Sequence, residues 1–135
     1  MFAMQIDNAV DNLIFETRDK GGSTQSARGD KVPDSGYMVG GVIDSLMFDA
    51  MLIRDPGHFP VAYNMIMRWV NENFDTATRL NMFLGGWIDT EENIAYVDLS
   101  EHYPNDMRAN AIHTAIDRDE LAIWDLEKGE EIRVS

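Results

Sequence analysis

The residue pattern predicts a single α+β domain over residues 1–135, with a mixed sheet of four to six strands and two helices packed mostly on one face. Three observations carry that prediction. Residues 59–74, FPVAYNMIMRWVNENF, repeat apolar side chains at spacings of three and four, the period of a helix with one buried face. The apolar runs LNMFLGGWI (80–88) and NIAYVDL (93–99) are joined by a polar connection of hairpin length around Asp89, Glu91 and Glu92. From Ile94 to Leu126 the order is strand, helix, strand, a βαβ unit whose crossover is expected to be right-handed. A chain of this length buries one core and is too short for two comfortable ones.

Residues 2–17, FAMQIDNAVDNLIFET, hold apolar side chains without a clear period and read as strand or short helix. The segment 18–35 is rich in Gly, Ser and charge, with Val32 its one large apolar residue, and reads as a mobile loop. Its Arg28-Gly29-Asp30 tripeptide is too short a match to an integrin motif to carry function. GYMVGGVI (36–43) is a short strand in which Gly40 and Gly41 suggest a bulge or the close approach of another backbone. SLMFDAMLI (45–53) extends it or forms a helical turn, and Asp55-Pro56-Gly57 makes a turn.

In the 59–74 helix, Phe59, Ala62, Tyr63, Ile66, Trp69, Val70 and Phe74 share the core face, and Pro60 fits the first turn. On the second hairpin strand Ile94, Tyr96 and Asp98 point one way, and Ala95, Val97 and Leu99 the other. The outward positions of this hairpin read as almost all acidic. A second amphipathic helix follows from about Asp106 to Ile116, with Met107, Ala111, Ile112 and Ala115 on its apolar side. LAIWDL (121–126) and EIRV (131–134) are strands joined at Lys128-Gly129-Glu130.

Charge narrows the function classes. The chain carries 24 acidic residues against 11 basic ones, a net of −13. Within 89–131 there are thirteen acids and three bases, a net of −10. Contacts to nucleic-acid phosphates or anionic lipids need cations that this surface mostly lacks, so neither direct nucleic-acid nor membrane binding is expected. There are no cysteines, which removes thiolate chemistry and cysteine zinc sites. The N-terminus lacks the pattern of a secretory signal, and a cytoplasmic location is expected.

No catalytic pattern stands out. The three histidines, His58, His102 and His113, show no metal-binding spacing. Asp98, Glu101 and His102 fall close together after a strand, where a metal could sit. The glycine pairs at 21–22, 40–41 and 85–86 lack phosphate-loop spacing.

GYMVGG (36–41), GGWIDTEENIAYVDLSEHY (85–103) and ELAIWDLEKGEEI (120–132) together give the chain its resemblance. Over roughly residues 33–135 it resembles an uncharacterised group of small acidic proteins from actinobacteria, their phages and mobile elements. The resemblance implies a setting: small acidic proteins of mobile elements are often inhibitors of host defence, including DNA-mimicking antirestriction and anti-CRISPR proteins.

The expected function is therefore a non-enzymatic phage or mobile-element protein, acting in the host cytoplasm if phage-encoded. It would inhibit a host nucleic-acid-binding defence complex by covering a basic protein surface with phosphate-mimicking carboxylates. The expected contact residues are Asp89, Glu91, Glu92, Asp98, Glu101, Asp106, Asp125, Glu127, Glu130 and Glu131. No catalytic residue, metal or cofactor is expected. Three alternatives stand beside this one. The charge is a solvated rim that serves solubility; the chain is a small metal-dependent enzyme with a site near Asp98, Glu101 and His102; or it is an assembly protein that forms a homodimer through apolar surface such as 45–53.

Overall fold

The computed structural model describes residues 3–135. Its elements in chain order are α1 (Ala3–Lys20), β1 (Gly22–Gln25), β2 (Tyr37–Val39), β3 (Leu46–Asp49), α2 (Met51–Arg54), α3 (Phe59–Glu72), α4 (Phe74–Ala77), β4 (Met82–Asp89), β5 (Ile94–Tyr103), α5 (Arg108–Asp117), β6 (Ala122–Asp125) and β7 (Glu130–Arg133). The expected α+β class holds. The sheet has seven strands rather than four to six, in the order β1-β4-β5-β2-β6-β7, with β3 also paired to β5. Every pairing is antiparallel.

The strand β5 organises the sheet. Along one edge it pairs with β4 over the full length of β4. Along the other it pairs with β3 through Ile94–Val97 and with β2 through Glu101–Tyr103. The expected βαβ unit takes a split form: β5 and β6 both run antiparallel to β2, and so run parallel to each other with β2 between them.

Two hydrophobic clusters lie on the same side of this sheet. Ala95, Val97 and Leu99 of β5 and Leu84 of β4 are buried against Val10, Leu13 and Ile14 of α1 and Ile66 and Val70 of α3. Tyr37, Val39 and Ile123 are buried against Ala111 and Ala115 of α5. By strand alternation all of these sheet residues share one face, so the three longer helices cover a single face.

Two expectations are revised. The N-terminal stretch is a long helix, whose buried residues Ile6, Ala9, Val10, Leu13, Ile14 and Thr17 recur at helical spacing. The 18–35 segment is not all loop: residues 18–20 complete α1, and Gly22–Gln25 pairs with β4 as β1. Beyond it, Arg28 bonds Asp30 at 2.9 Å and Thr78 O at 3.0 Å, closing the tripeptide on the body of the protein. Among the described residues no helix is long and apolar enough to cross a membrane.

Candidate functional site

The sheet face turned away from the helices is made by the alternate residues of the same strands. Register sets Thr24 beside Gly85, Gly85 beside Asp98, Phe83 beside Ser100 and Trp87 beside Tyr96. Met38 lies between His102 and Trp124. An antiparallel sheet with one wet face ordinarily turns polar side chains to water. Here the open face carries aromatic side chains and methionine instead. Trp87 is 44% exposed, Trp124 45% and Met47 53%. The expectation that outward hairpin positions are almost all acidic is corrected: on the paired strands this face carries two acids, Asp98 on β5 and Asp89 at the end of β4, while Glu91 and Glu92 sit in the turn and Glu101 on the helix-covered side.

A cavity of about 680 Å³ opens on this face, within the size range of ligand sites. Its walls include Thr24 of β1 and Glu131 of β7, strands at opposite ends of the sheet order. The sheet therefore curls into a trough, as strand twist favours. Missing side chains help to make the space. A Cβ on Gly85 would lie 2.6 Å from Asp98 Oδ1, and one on Gly40 would lie 2.7 Å from Glu120 Oε1. The close approach expected at Gly40 and Gly41 is thus made by the side chains of Glu120 and Arg118 rather than by another backbone.

Asp98 stands in the middle of the trough. It accepts no hydrogen bond from any described residue, and burial, followed by the nearby Glu120 carboxylate, pushes its pKa up to about 6. Each effect disfavours the charged form. Among the described residues the cavity walls carry the carboxyl groups of Asp98, Glu120 and Glu131 and no Lys, Arg or His; Arg133 shares this face of the sheet, opposite Ala122, but is not a wall residue. Trp87 stacks on Tyr96 with centroids 4.3 Å apart and planes 10° from parallel. On its other side the paired residue is Gly22, which offers no side chain to cover the ring. Aromatic faces beside carboxyl groups attract a cation that carries an apolar body.

The expected contact residues do not gather into one patch. Glu91 and Glu92 lie in the β4–β5 turn, before β5 begins, where Asp89 Oδ1 accepts their backbone N–H groups at 3.0 and 3.2 Å. Glu127 and Glu130 lie at the β6–β7 turn, after β6 ends, and Asp106 follows β5. Because β5 and β6 run the same way, these groups occupy opposite ends of the sheet, about 30 Å apart at ~3.3 Å per residue along β5. Asp125 is buried and accepts the Lys128 N–H at 3.1 Å, so it shapes a turn. Glu101 points to the helix-covered side, where Arg118 holds it at 2.8 Å. Of the ten, Asp98 and Glu131 reach the cavity.

Asp98, Glu101 and His102 do not form a ligand set. Glu101 lies on the opposite face from the other two, and His102 is four residues along the strand from Asp98, about 13 Å at ~3.3 Å per residue. The His102 Nε2 is 2.8 Å from Ser35 O and its ring meets the edge of Phe83, a packing role. Among the described residues no group of three or more His, Cys, Asp or Glu could hold a metal ion. In the 45–53 segment Phe48 and Ile53 are buried, while Met47 and Met51 are exposed.

Trp87, Tyr96, Glu120 and Trp124 join the site without having been expected there. For Trp87 and Tyr96 the signal was the apolar residues on both faces of β4 and β5, a pattern that alternation alone assigns to a strand covered on both sides; Glu120 and Trp124, outside that hairpin, had no such signal. Comparison with known protein families, curated proteins and solved structures finds no match to this chain.

Proposed function

We propose that this is a non-enzymatic binding protein that captures a basic protein surface in the trough of its open sheet face. The observation that carries the reading is the lining of the trough: aromatic walls around Asp98, Glu120 and Glu131 with no cationic side chain among them. The net charge of −13 supplies the long-range part. It steers a cationic partner toward the protein and weakens with salt, since the Debye length is about 8 Å at physiological ionic strength. The trough supplies the short-range part, where apolar contact and paired charge hold the partner.

The basic surfaces that best match such a face are those that otherwise hold phosphates. With the resemblance to small acidic proteins of actinobacteria, their phages and mobile elements, this makes the partner a host nucleic-acid-binding defence complex. The outcome is inhibition of the anti-CRISPR or antirestriction type. Phosphate mimicry by surface carboxylates then shares the work with the trough, and Glu91, Glu92, Glu127 and Glu130 act mainly in steering.

The test is capture by the tagged protein from host lysate at low and moderate salt, followed by a nucleic-acid displacement assay on the captured complex. The reading predicts a salt-sensitive nucleic-acid-binding complex that releases its DNA or RNA when the protein is added. A captured complex that keeps its nucleic acid, or capture undiminished by a Trp87→Ala, Trp124→Ala double variant, would contradict it.

A further inference from the structure

Resting on that reading, we infer that the trough is a socket for an arginine side chain of the partner, with its guanidinium set against Asp98 and Glu120 and its plane against Trp87. Three features of the site select arginine over lysine, and a fourth calls for a cation from outside.

The first is the pair of carboxyl groups. Asp98 has no donor among the described residues, and Glu120 lies close enough to raise its pKa. A guanidinium presents five N–H donors in a fixed fork and can serve both carboxyl groups at once. An ammonium is a compact charge with three donors. The second is the aromatic wall. Trp87 has one ring face stacked on Tyr96, while its partner on the β1 side is Gly22. A planar guanidinium stacks on such a face, whereas an ammonium meets it as a point charge.

The third is the partly apolar lining, to which Phe83, Met38 and Trp124 contribute. Guanidinium is less strongly hydrated than ammonium, so it loses less on leaving water. The fourth is the absence of any Lys, Arg or His in the cavity walls. Asp98 and Glu120 repel one another, and a cation from outside relieves both. The cavity, at about 680 Å³, also has room for apolar residues beside the arginine.

The experiment follows the indole N–H signals of Trp87 and Trp124 by NMR during titration with N-acetyl-arginine amide, its lysine counterpart and its citrulline counterpart. Citrulline keeps the planar shape of arginine but carries no charge. Saturable shifts of the Trp87 indole with arginine are expected, at least about fivefold weaker binding with lysine, and none with citrulline. Asp98→Asn should weaken the arginine response at least about tenfold while the spectrum stays dispersed, and Glu120→Gln should do so by a smaller factor.

Equal responses to arginine and lysine, or to arginine and citrulline, would overturn the inference, as would an Asp98→Asn variant that binds arginine unchanged. Hexa-arginine and hexalysine peptides separate this failure from that of the proposed function. If both peptides shift the indoles equally, the face binds basic chains and only the arginine preference falls. If neither does, both readings fall.

Discussion

Gly85 and Gly86 are neighbours on β4, yet they serve opposite faces of the sheet. A Cβ on Gly86 would sit 3.1 Å from Leu13 Cδ1 and 2.7 Å from Thr17 Oγ1, both buried on α1. A Cβ on Gly85 would meet only the Asp98 carboxyl. On the covered face the missing side chain lets a helix approach the sheet. On the open face it leaves space beside an acid with no partner. The same residue type therefore supports packing on one side and makes a cavity on the other. The contrast separates the residues that hold this fold together from those placed to meet something else.

Truncating the covered face should have the largest effect on stability. Leu99→Ala removes a fully buried side chain in the main core and should cost about 2–5 kcal/mol, read as a fall in the urea midpoint at unchanged slope. An Ala at Trp87 or Trp124 with a comparable loss would erase the distinction between the faces.

Asp98→Asn should act in the other direction. The pKa of Asp98 in the fold, about 6, lies above the ordinary 3.8, so the folded state holds this proton more tightly than the unfolded state does. Its contribution to stability therefore declines as pH rises from about 4 to about 6, and the cost of the charged form is complete above that. At ~1.4 kcal/mol for each pKa unit, the variant should be more stable at pH 7 by up to about 3 kcal/mol, and close to unchanged at pH 3.5. Urea titrations at the two pH values check this. Equal effects at both would show that burial and Glu120 do not raise the Asp98 pKa in the fold.

The glycine pair gives a narrower test. Gly86→Ala should cost about 1–3 kcal/mol, because buried neighbours on α1 must shift. Gly85→Ala should cost less than about 1 kcal/mol, because the end of one side chain can turn aside. The smallest effect on stability is expected for Trp124→Ala, within about 1 kcal/mol, since that ring stands half exposed on the open face. Thermal melts of the three variants rank these effects.

Much of the fold was legible in residue order, because it depends on local periodicity. The helix expected over 59–74 (it ends at Glu72, and the exposed Phe74 opens α4 instead of extending the core face), the β4–β5 hairpin and the alternation of Ala95, Val97 and Leu99 against Tyr96 and Asp98 follow from it. The helix α1 was within reach too: its buried stripe from Ile6 to Thr17 is regular, but Met4 and Phe15 fall off the stripe and blur the period. The strand β1, GSTQ, has no apolar side chain to announce it and is set by its pairing with β4.

The site was less legible, because it is made by strand order. Residues at 22–24, 83, 85–87, 98, 120 and 131 meet only once the sheet curls. The acids had the stronger signal in the sequence, and they were assigned to one surface. Their places at opposite ends of the sheet follow from the directions of β5 and β6, which residue counts do not contain.

The most direct test of the account compares two variants in titrations with a hexa-arginine peptide at moderate salt. One carries Glu91→Lys, Glu92→Lys, Glu127→Lys and Glu130→Lys at the two ends of the sheet. The other carries Trp87→Ala and Trp124→Ala in the trough. The account predicts that the first slows association and loses several-fold in affinity at most, while the second loses about 100-fold or more. The reverse order would show that the scattered acids hold the partner, and that the open face is not the binding site.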